Sequence, residues 1–416
     1  MHQSGLRSPL RQRKLAPVVD GLSHQLRERQ LGAFPRRLSV FDDERTQSQT
    51  LIQLAHQEQT TVGSGARTWA GSGFSLFQAA LLTEFDARSI VCDCRFRPES
   101  GTALGLESTM ITSDYSARDA AGSVVFYVLL WKRGGVALGL FDDYWRNVHG
   151  PVCARLPGQF QYWQLHVAHS GRGLWPEVPG IRYDCAGENQ FDGIAELSFR
   201  SADDRNTWFG AAGILMDDEH NLFRKAIGYN TSAGNSRTWV DGIPAGDPNG
   251  PVGVPRMHAM VKKADGVGVA EFRRYMRETF APAMAKSSLV LKFRMHLFEE
   301  VDASRPDAAG VAHSEPAEEN YQGAFEIAFG NRLEMESFLA SREYAAAVEN
   351  QVNYVKQICV FPERSAYTFV YNGAMTLAGQ RSSTVAELIT EIGATNQLRG
   401  DITSLMLGQA TRSQSG

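Results

Sequence analysis

From residue 123 onward, the spacing of apolar residues predicts strands and helices in a fixed order. The runs SVVFYVLLWKR (123–133), QFQYWQLHV (159–167) and FDGIAELSF (191–199) predict strands, and so does the stretch near 225–229. Helical spacing predicts one amphipathic helix over 141–157 and another from about 202 to 223. The resulting order, β-α-β-β-α-β, is that of a ferredoxin-like unit.

The same order returns after a Gly- and Pro-rich stretch, residues 231–255. RMHAMVKK predicts a strand, VAEFRRYMRETFAPAMAK a helix and LVLKFRMHLFEE a second strand. A polar loop (302–320) leads to the strand YQGAFEIAF, a long helix near 333–354 and a strand around 358–361. A last helix is predicted after a capping box formed by Thr384 and Glu387.

Two sequence matches indicate that one domain is duplicated in tandem. FDDYWRNVHGP at 141–151 aligns with FRRYMRETFAP at 272–282, and FDGIAELSF at 191–199 aligns with YQGAFEIAF at 321–329. The predicted fold class is therefore α+β, with two ferredoxin-like domains that form a barrel within one chain and an N-terminal extension.

We expect six segments along the chain. They are a polar, partly disordered extension (1–65), a segment without an assigned role (66–122), the first domain (123–230), a linker (231–255), a second, degenerate domain (256–382), and a C-terminal helix and tail (383–416).

Strand alternation predicts that each sheet has a helix-covered face and a semi-polar face, and that the two semi-polar faces meet in the barrel. His166 with His296, and Glu196 with Glu326, occupy matching positions of the two copies by residue count. Two interpretations stay open: these side chains are paired charges buried between the sheets, or they line an active site in the lumen.

His149 stands on the apolar stripe of the first predicted helix, and Pro151 follows it. Proline cannot donate the backbone hydrogen bond of a helix interior, so the helix is predicted to kink or stop beside His149. The second copy has Phe280 in place of His149 and Met276 in place of Trp145. This difference favours a functional histidine in the first copy, with a hydrogen-bonded core histidine as the structural alternative.

Composition excludes several classes of protein. The 416 residues carry a net charge of −4, with a pI near 6.2, so no basic field suggests nucleic-acid binding. No apolar run is long enough to span a membrane and no secretory signal opens the chain, so a cytoplasmic location is expected. The five scattered cysteines favour buried thiols over disulfides or a zinc site.

The motif YWRNVHGP, followed at a distance by DGIAEL, resembles the EthD family of the dimeric α+β barrel superfamily. The matching residues are Tyr144, Trp145, His149, Gly150, Pro151, Asp192, Gly193, Glu196 and Leu197. The resemblance covers residues 123–230 well and 256–372 in degenerate form. It implies cofactor-free lyase chemistry, such as decarboxylation, dehydration or cyclisation, on an aromatic or polyketide-like molecule. Other barrels of the superfamily are isomerases, cofactor-free oxygenases or haem enzymes.

In the predicted mechanism His149 transfers a proton, Tyr144 hydrogen-bonds a developing oxyanion and Trp145 forms an apolar wall. The further candidates for substrate binding are Tyr162, Gln164, His166, Asp192, Glu196 and Trp208. We expect no metal, no cofactor, a small aromatic substrate, no nucleic-acid or membrane partner and a possible homo-oligomer. The competing hypothesis is a barrel that binds an apolar ligand without turning it over.

Overall fold

The computed structural model describes residues 115–243, 248–301 and 307–408, all of which lie in one compact unit. The polar extension (1–65) and residues 66–114 of the following segment, which include Cys92 and Cys94, lie outside the described residues. In the described part of the chain, no helix combines the length and apolar character needed to cross a bilayer.

The first repeat has the predicted order of strands and helices, preceded by one short helix. Its elements are α1 (Ser116–Ala121), β1 (Val124–Lys132), α2 (Leu138–Tyr144), a π-helical turn (Trp145–His149), α3 (Gly150–Cys153), β2 (Gln159–Val167), β3 (Gly193–Phe199), α4 (Ala202–Ala211), α5 (Gly213–Leu222) and β4 (Phe223–Thr231). Two short strands follow, β5 (Ser236–Asp241) and β6 (Asn249–Gly250). They occupy the segment that we predicted to be a linker.

The second repeat reproduces this order, which confirms the duplication. Its elements are β7 (Arg256–Lys263), α6 (Val269–Tyr275), a π-helical turn (Met276–Phe280), α7 (Ala281–Ala285), β8 (Val290–Leu297), β9 (Gly323–Phe329), α8 (Arg332–Leu339), α9 (Arg342–Val348), β10 (Val355–Tyr371) and β11 (Ala374–Met375). The helices α10 (Leu377–Arg381), α11 (Ser383–Glu391) and α12 (Gly400–Met406) end the described chain. Three 3₁₀ turns complete the set, Gly187–Asn189, Gln351–Asn353 and Thr395–Leu398.

The fourth strand of each repeat crosses to the other repeat, and this crossing closes the barrel. The first half of β10 pairs with β7 of its own repeat, while the second half pairs with β2 of the first repeat. In the same way β4 pairs with β1, and its continuation β5 pairs with β8. The antiparallel ring is therefore β1-β3-β2-β10-β7-β9-β8-β5/β4. The predicted intrachain barrel is confirmed.

Two local predictions need correction. The helix around His149, predicted to kink or stop beside that residue, does not stop there; it passes through the π turn and continues into α3, with the proline in the first turn of that helix. At the C-terminal helix, α11 begins after Ser382, which has φ +86°, and not at a capping box with Thr384. The Asn147 side chain instead accepts the Thr384 N–H at 2.9 Å, so a contact from the first repeat fixes this helix start.

Three buried clusters form the core: one between helices and sheet in each repeat, and one between the two sheets. As predicted, Ala195, Leu197 and Phe199 lie under the helices of the first repeat, whereas Ile194 faces the lumen. On β2 the expectation that the semi-polar face, with His166, lies in the barrel was wrong. Leu165 and Val167 face the lumen, so the more polar alternate residues of β2 lie under the helices.

The matching of His166 with His296 was also wrong, because the two residues lie on opposite faces of their sheets. His166 pairs with Gly193 across the sheet, but the residue that pairs with Gly323 is Leu297. The connection between the second and third strands is one residue shorter in the second repeat, so counting back from the third strand shifts the register. A shift by one residue turns a side chain to the other face of a sheet.

Ion pairs fill the polar part of the lumen. The Arg294 guanidinium donates to Glu196 at 3.0 Å, and Glu326 accepts from Arg256 at 3.0 Å and lies 3.1 Å from the Lys292 ammonium. Burial alone would raise the pKa of Glu196, but Arg294 and His296 outweigh it and hold that pKa well below its ordinary range. Glu196 and Glu326 are therefore paired charges buried between the sheets, as the first of our two interpretations predicts.

Replacing Arg294 by Met should destabilise the fold by about 3–5 kcal/mol, because it leaves the Glu196 carboxylate buried without its main partner. Urea unfolding at neutral pH measures this change. The matched control is Arg332→Met, which removes an exposed pair with Glu336 and should cost at most about 1 kcal/mol. Equal losses from the two variants would contradict a structural role for the Arg294 pair.

Candidate active site between the helices and the first sheet

The helix motif and the Asp-Gly motif touch each other in the fold. The indole of Trp145 packs on the backbone of Gly193, where an added Cβ would lie 2.3 Å from a ring carbon. The indole also stacks on His166, the cross-strand neighbour of Gly193, with ring centroids 4.4 Å apart and an angle of 20° between the planes. A side chain at position 193 would displace the indole, so this contact explains why the two motifs occur together.

The π turn gives the first repeat its local geometry at this point. The N–H of Gly150 bonds to the carbonyl of Trp145, one residue further back than in an α-helix. The same carbonyl accepts a hydrogen bond from the Gln164 side chain at 3.0 Å. The second repeat has the same turn over Met276–Phe280. The turn therefore belongs to the fold, and the chemistry depends on which side chains it carries.

His149 and Asp218 form a hydrogen-bonded pair at the end of this turn. His149 Nδ1 lies 2.9 Å from Asp218 Oδ2, and the Tyr144 hydroxyl donates to the other carboxylate oxygen at 2.6 Å. Asp218 is on α5, which covers the sheet beside α2. A carboxylate at Nδ1 fixes the tautomer of a neutral imidazole with its proton on Nδ1, and so leaves Nε2 as the acceptor.

The charges around Asp218 determine the protonation of this cluster. The hydrogen bond from His149 is the largest influence and, with the bond from Tyr144, it lowers the pKa of Asp218 to about 2. The bond to Asp218 in turn raises the pKa of Tyr144 to about 12. The Tyr144 hydroxyl therefore stays protonated and points at Asp218. This differs from the oxyanion contact that we predicted for it: Tyr144 positions the carboxylate that positions His149.

A cavity of about 40 Å³ lies next to His149, between the helices and the sheet. Its lining is mainly apolar and aromatic and includes Trp145, Tyr162, Trp208 and Phe223. One carboxylate also lines it, that of Glu219, the neighbour of Asp218 on α5. The space is sufficient for a few water molecules, whereas cavities that hold benzene measure about 150 Å³.

Glu219 has a histidine partner that comes from the second repeat. His313 Nε2 lies 2.6 Å from Glu219 Oε2, and the side chains of both residues are largely buried. A thiol also lines the cavity, that of Cys153, whose pKa burial raises to about 12. This thiol is protonated at neutral pH and is not a ready nucleophile.

The structure divides the predicted site residues between three places. Around the helix–sheet cavity it brings together His149, Trp145, Tyr162 and Trp208. Tyr144 and Gln164 are in contact with this group, and His166 stacks on the Trp145 ring.

Glu196 and Asp192 are not part of this cavity, because alternation along β3 directs Glu196 into the lumen. Asp192 lies at the start of β3, where it accepts the N–H of Lys132 at 2.8 Å and lies 3.1 Å from His169 Nε2. These two carboxylates therefore do not contribute to the site around His149.

His166, which does not line the cavity, forms a second buried histidine–carboxylate pair. His166 Nδ1 lies 2.8 Å from Asp142, and Arg364 donates to both oxygens of the same carboxylate at 2.6 and 2.9 Å. Burial is the main cause of the lowered pKa of His166, which is therefore neutral at neutral pH. The pair fixes the plane on which the Trp145 indole stacks.

The equivalent position in the second repeat is filled by packed aromatic rings. Phe280 packs on Phe293 and Phe325, with centroids 6.1 and 5.4 Å apart. Tyr275 stacks on Tyr354 at 4.2 Å. The second repeat therefore has apolar packing where the first has His149, as the motif comparison predicted.

A larger cavity of about 370 Å³ lies in the lumen. Its lining combines Trp163, Leu165 and Tyr371 with charged side chains that already pair with each other, such as Glu326 with Lys292. Within the described ranges, no cluster of three or more His, Cys, Asp or Glu side chains is arranged to hold a metal ion.

The family model of the EthD domain matches residues 135–225 and 264–356. The chain carries two EthD domains in tandem. Both matches fall within the structural repeats, and the first contains the whole His149–Asp218–Tyr144 cluster. The fold is that of the dimeric α+β barrel superfamily, with both halves in one chain.

Solved structures show similarity at low sequence identity. A putative monooxygenase from Lactobacillus acidophilus is 11% identical over 61% of this chain and 99% of its own, with a TM-score of 0.37. An anthrone oxidase-like protein is 9% identical over 59% of this chain and 92% of its own (TM-score 0.37). Chlorite dismutase from Candidatus Nitrospira defluvii is 7% identical over 60% of this chain and 94% of its own (TM-score 0.30). A comparison with curated proteins found no match.

Sequence reasoning missed Asp218, Glu219 and His313. The first two belong to the run DDEH near the end of the second predicted helix, where adjacent acids opposite a motif histidine were the available signal. His313 lies in the polar loop 302–320, and no periodicity there indicates that it reaches the first repeat.

The Asp218 pair predicts a specific dependence of stability on pH. Because the pKa of Asp218 is lower in the folded state than in the unfolded chain, its contribution is present above about pH 4 and is lost as the pH falls towards 2. Asp218→Asn should therefore destabilise the protein at pH 6 and progressively less as the pH falls from 4 to 2, measured by urea unfolding. The neighbouring exposed variant Asp217→Asn is the control, and a difference that does not change with pH would contradict the prediction.

Proposed function

We propose that the first EthD domain is an enzyme site that transfers a proton on a small, largely apolar molecule, with His149 as the base or acid. The observation that carries this proposal is the Asp218–His149 pair beside an apolar cavity. The carboxylate orients the imidazole, and an imidazole has a reference pKa near 6.5, which suits proton transfer near neutral pH.

Comparison of the repeats supports a catalytic role over a packing role. Both repeats have the π turn and the following proline, but only the first has an ionisable side chain at its end. When β4 and the first half of β10 are aligned by their pairing with β1 and β7, Asp218 corresponds to Asn350. In the helix motif, His149 corresponds to Phe280. Both members of the pair are therefore replaced together, as expected if they work as a unit.

The reaction class that we propose is a lyase-type step, in which carbon dioxide or water is lost or a ring is closed, on an aromatic or polyketide-like molecule. The step requires no redox agent, since a proton is moved and a bond within the substrate breaks or forms. An aromatic ring exceeds the present volume beside His149, so side chains that line the cavity would have to move when such a substrate binds.

Two other functions remain open as outcomes of the same test. A binding protein would hold such molecules without changing them, and a cofactor-free oxygenase would consume oxygen after His149 removes a proton. The cavity beside His149 is far too small for a porphyrin, so in this arrangement the site does not fit haem.

His149→Phe, which installs the residue of the second repeat, should lower turnover by at least about 10²-fold while the fold stays intact. The wild type is screened against aromatic β-keto acids and β-diketones, with carbon dioxide, loss of water and oxygen uptake as readouts. His220→Gln, an exposed histidine on α5, is the matched control and should retain full activity.

Retention of wild-type turnover by His149→Phe would overturn the proposal. Binding of these compounds by calorimetry without any product would assign the barrel to ligand binding instead. Product formation that requires oxygen would assign it to the oxygenase class.

A further inference from the structure

A loop of the second repeat forms part of the cavity wall of the first. Residues 308–313 run along the edge strand β4, where Ala312 accepts the N–H of Ala226 at 2.9 Å and donates to the carbonyl of Arg224 at 3.1 Å. Val311 is buried in the helix–sheet core of the first repeat. This anchoring brings His313 to Glu219, whose carboxylate lines the cavity beside His149.

The first repeat places a loop against the second repeat in the same way. This second contact shows which residue of the first repeat corresponds to His313. The corresponding loop of the first repeat lies along β10, where Arg182 bridges to Gln357 as Ala312 bridges to Lys225. Ile181 and Tyr183 of that loop are buried in the core of the second repeat. The equivalent of His313 is therefore Tyr183.

The same comparison identifies the equivalent of Glu219. Leu130 pairs with Ala226 in the first sheet and Val261 pairs with Ile358 in the second, which sets an offset of 132 for the fourth strand. Counted back from that strand, Glu219 corresponds to Gln351. The amide has nearly the same shape as the carboxylate, but it cannot release a proton.

All four members of these two pairs are thus replaced in the second repeat, by residues that cannot form a histidine–carboxylate pair. The replacements, in order, are His149 by Phe280, Asp218 by Asn350, Glu219 by Gln351 and His313 by Tyr183. A purely structural Glu219–His313 pair would stabilise either repeat equally well. Its presence only where His149 is present links the two pairs.

We infer that Glu219, held by His313, is a second catalytic acid–base group of the site, so that the second repeat completes the active site of the first. This inference rests on the proposed function of His149. In the step, His149 Nε2 takes a proton from the substrate, and the proton shared by His313 and Glu219 passes through the Glu219 carboxyl to the atom that gains negative charge. One proton leaves the substrate and another enters it. Afterwards His149 carries an extra proton and the His313–Glu219 pair has lost one, and proton exchange with water returns these groups to their starting states.

This arrangement favours reactions in which the substrate loses one proton and gains another. Dehydration fits, because the leaving hydroxyl takes the second proton; ring closure by enolisation and double-bond migration fit for the same reason. The chemical class of the substrate is then a carbonyl compound with an acidic C–H next to the carbonyl. His313 is a positioning residue, because its contact is with Glu219.

The test uses acetone, a small ketone, as a probe for enolisation by the full-length protein. Incorporation of deuterium from D₂O is followed by proton NMR between pH 5 and 9. The wild type should show a bell-shaped rate profile, and Glu219→Gln should lower the rate by about 10²-fold and remove one limb of the bell. His313→Tyr, which installs the residue of the second repeat, should shift that limb and lower the rate less.

Two control variants separate this inference from the proposed function. Gln351→Glu changes the equivalent residue of the second repeat and should leave the profile unchanged, and His149→Gln should abolish exchange. An unchanged rate and profile in Glu219→Gln, with exchange lost in His149→Gln, would overturn the inference and leave the proposed function standing. Wild-type exchange no faster than that of His149→Gln would overturn the proposed function itself.

Discussion

Neither repeat completes its own sheet, and the rest of the structure depends on this constraint. Each fourth strand pairs with the first strand of its own repeat and then with the second strand of the other, so the edge strands of both sheets are satisfied only when the ring closes. Closure brings the inner faces of the two sheets together. The polar side chains on those faces must then find partners, as Glu196 does with Arg294 and Glu326 with Arg256.

The same closure exchanges loops between the repeats. Because each fourth strand has its edge near the other repeat, the long connection between the second and third strands packs across the boundary and contributes to the other repeat's helix–sheet core. In a symmetric dimer both exchanged loops would be identical. A tandem chain is free of that requirement, and here one exchanged loop carries His313 while the other carries Tyr183. The duplication therefore allows one half to specialise while the other keeps the barrel closed.

The lumen and the helix–sheet cavity differ in the state of their polar groups. In the lumen, carboxylates and guanidiniums neutralise each other at distances near 3 Å, which stabilises a fixed arrangement. In the helix–sheet cavity, histidines face carboxylates beside an apolar wall of aromatic rings. Beside such an apolar wall an electrostatic interaction is stronger than in water, and histidine is the side chain that most often transfers protons in enzymes. The proposed chemistry is accordingly assigned to the smaller of the two cavities.

The sequence by itself determined the fold class, the duplication and the histidine that distinguishes the repeats. These are properties of period and of local motif: strand alternation, helical spacing, and the match of YWRNVHGP with YMRETFAP. Tertiary structure alone decided which partners His149 has, because Asp218 and Glu219 come from another helix and His313 from a loop of the other repeat. It also decided which face of the sheet carries His166. The connection between the second and third strands is one residue shorter in the second repeat, so counting residues matches His166 with a residue that points to the opposite face. Contacts between segments far apart in the chain leave no periodic trace in the sequence, and here those contacts form the candidate site.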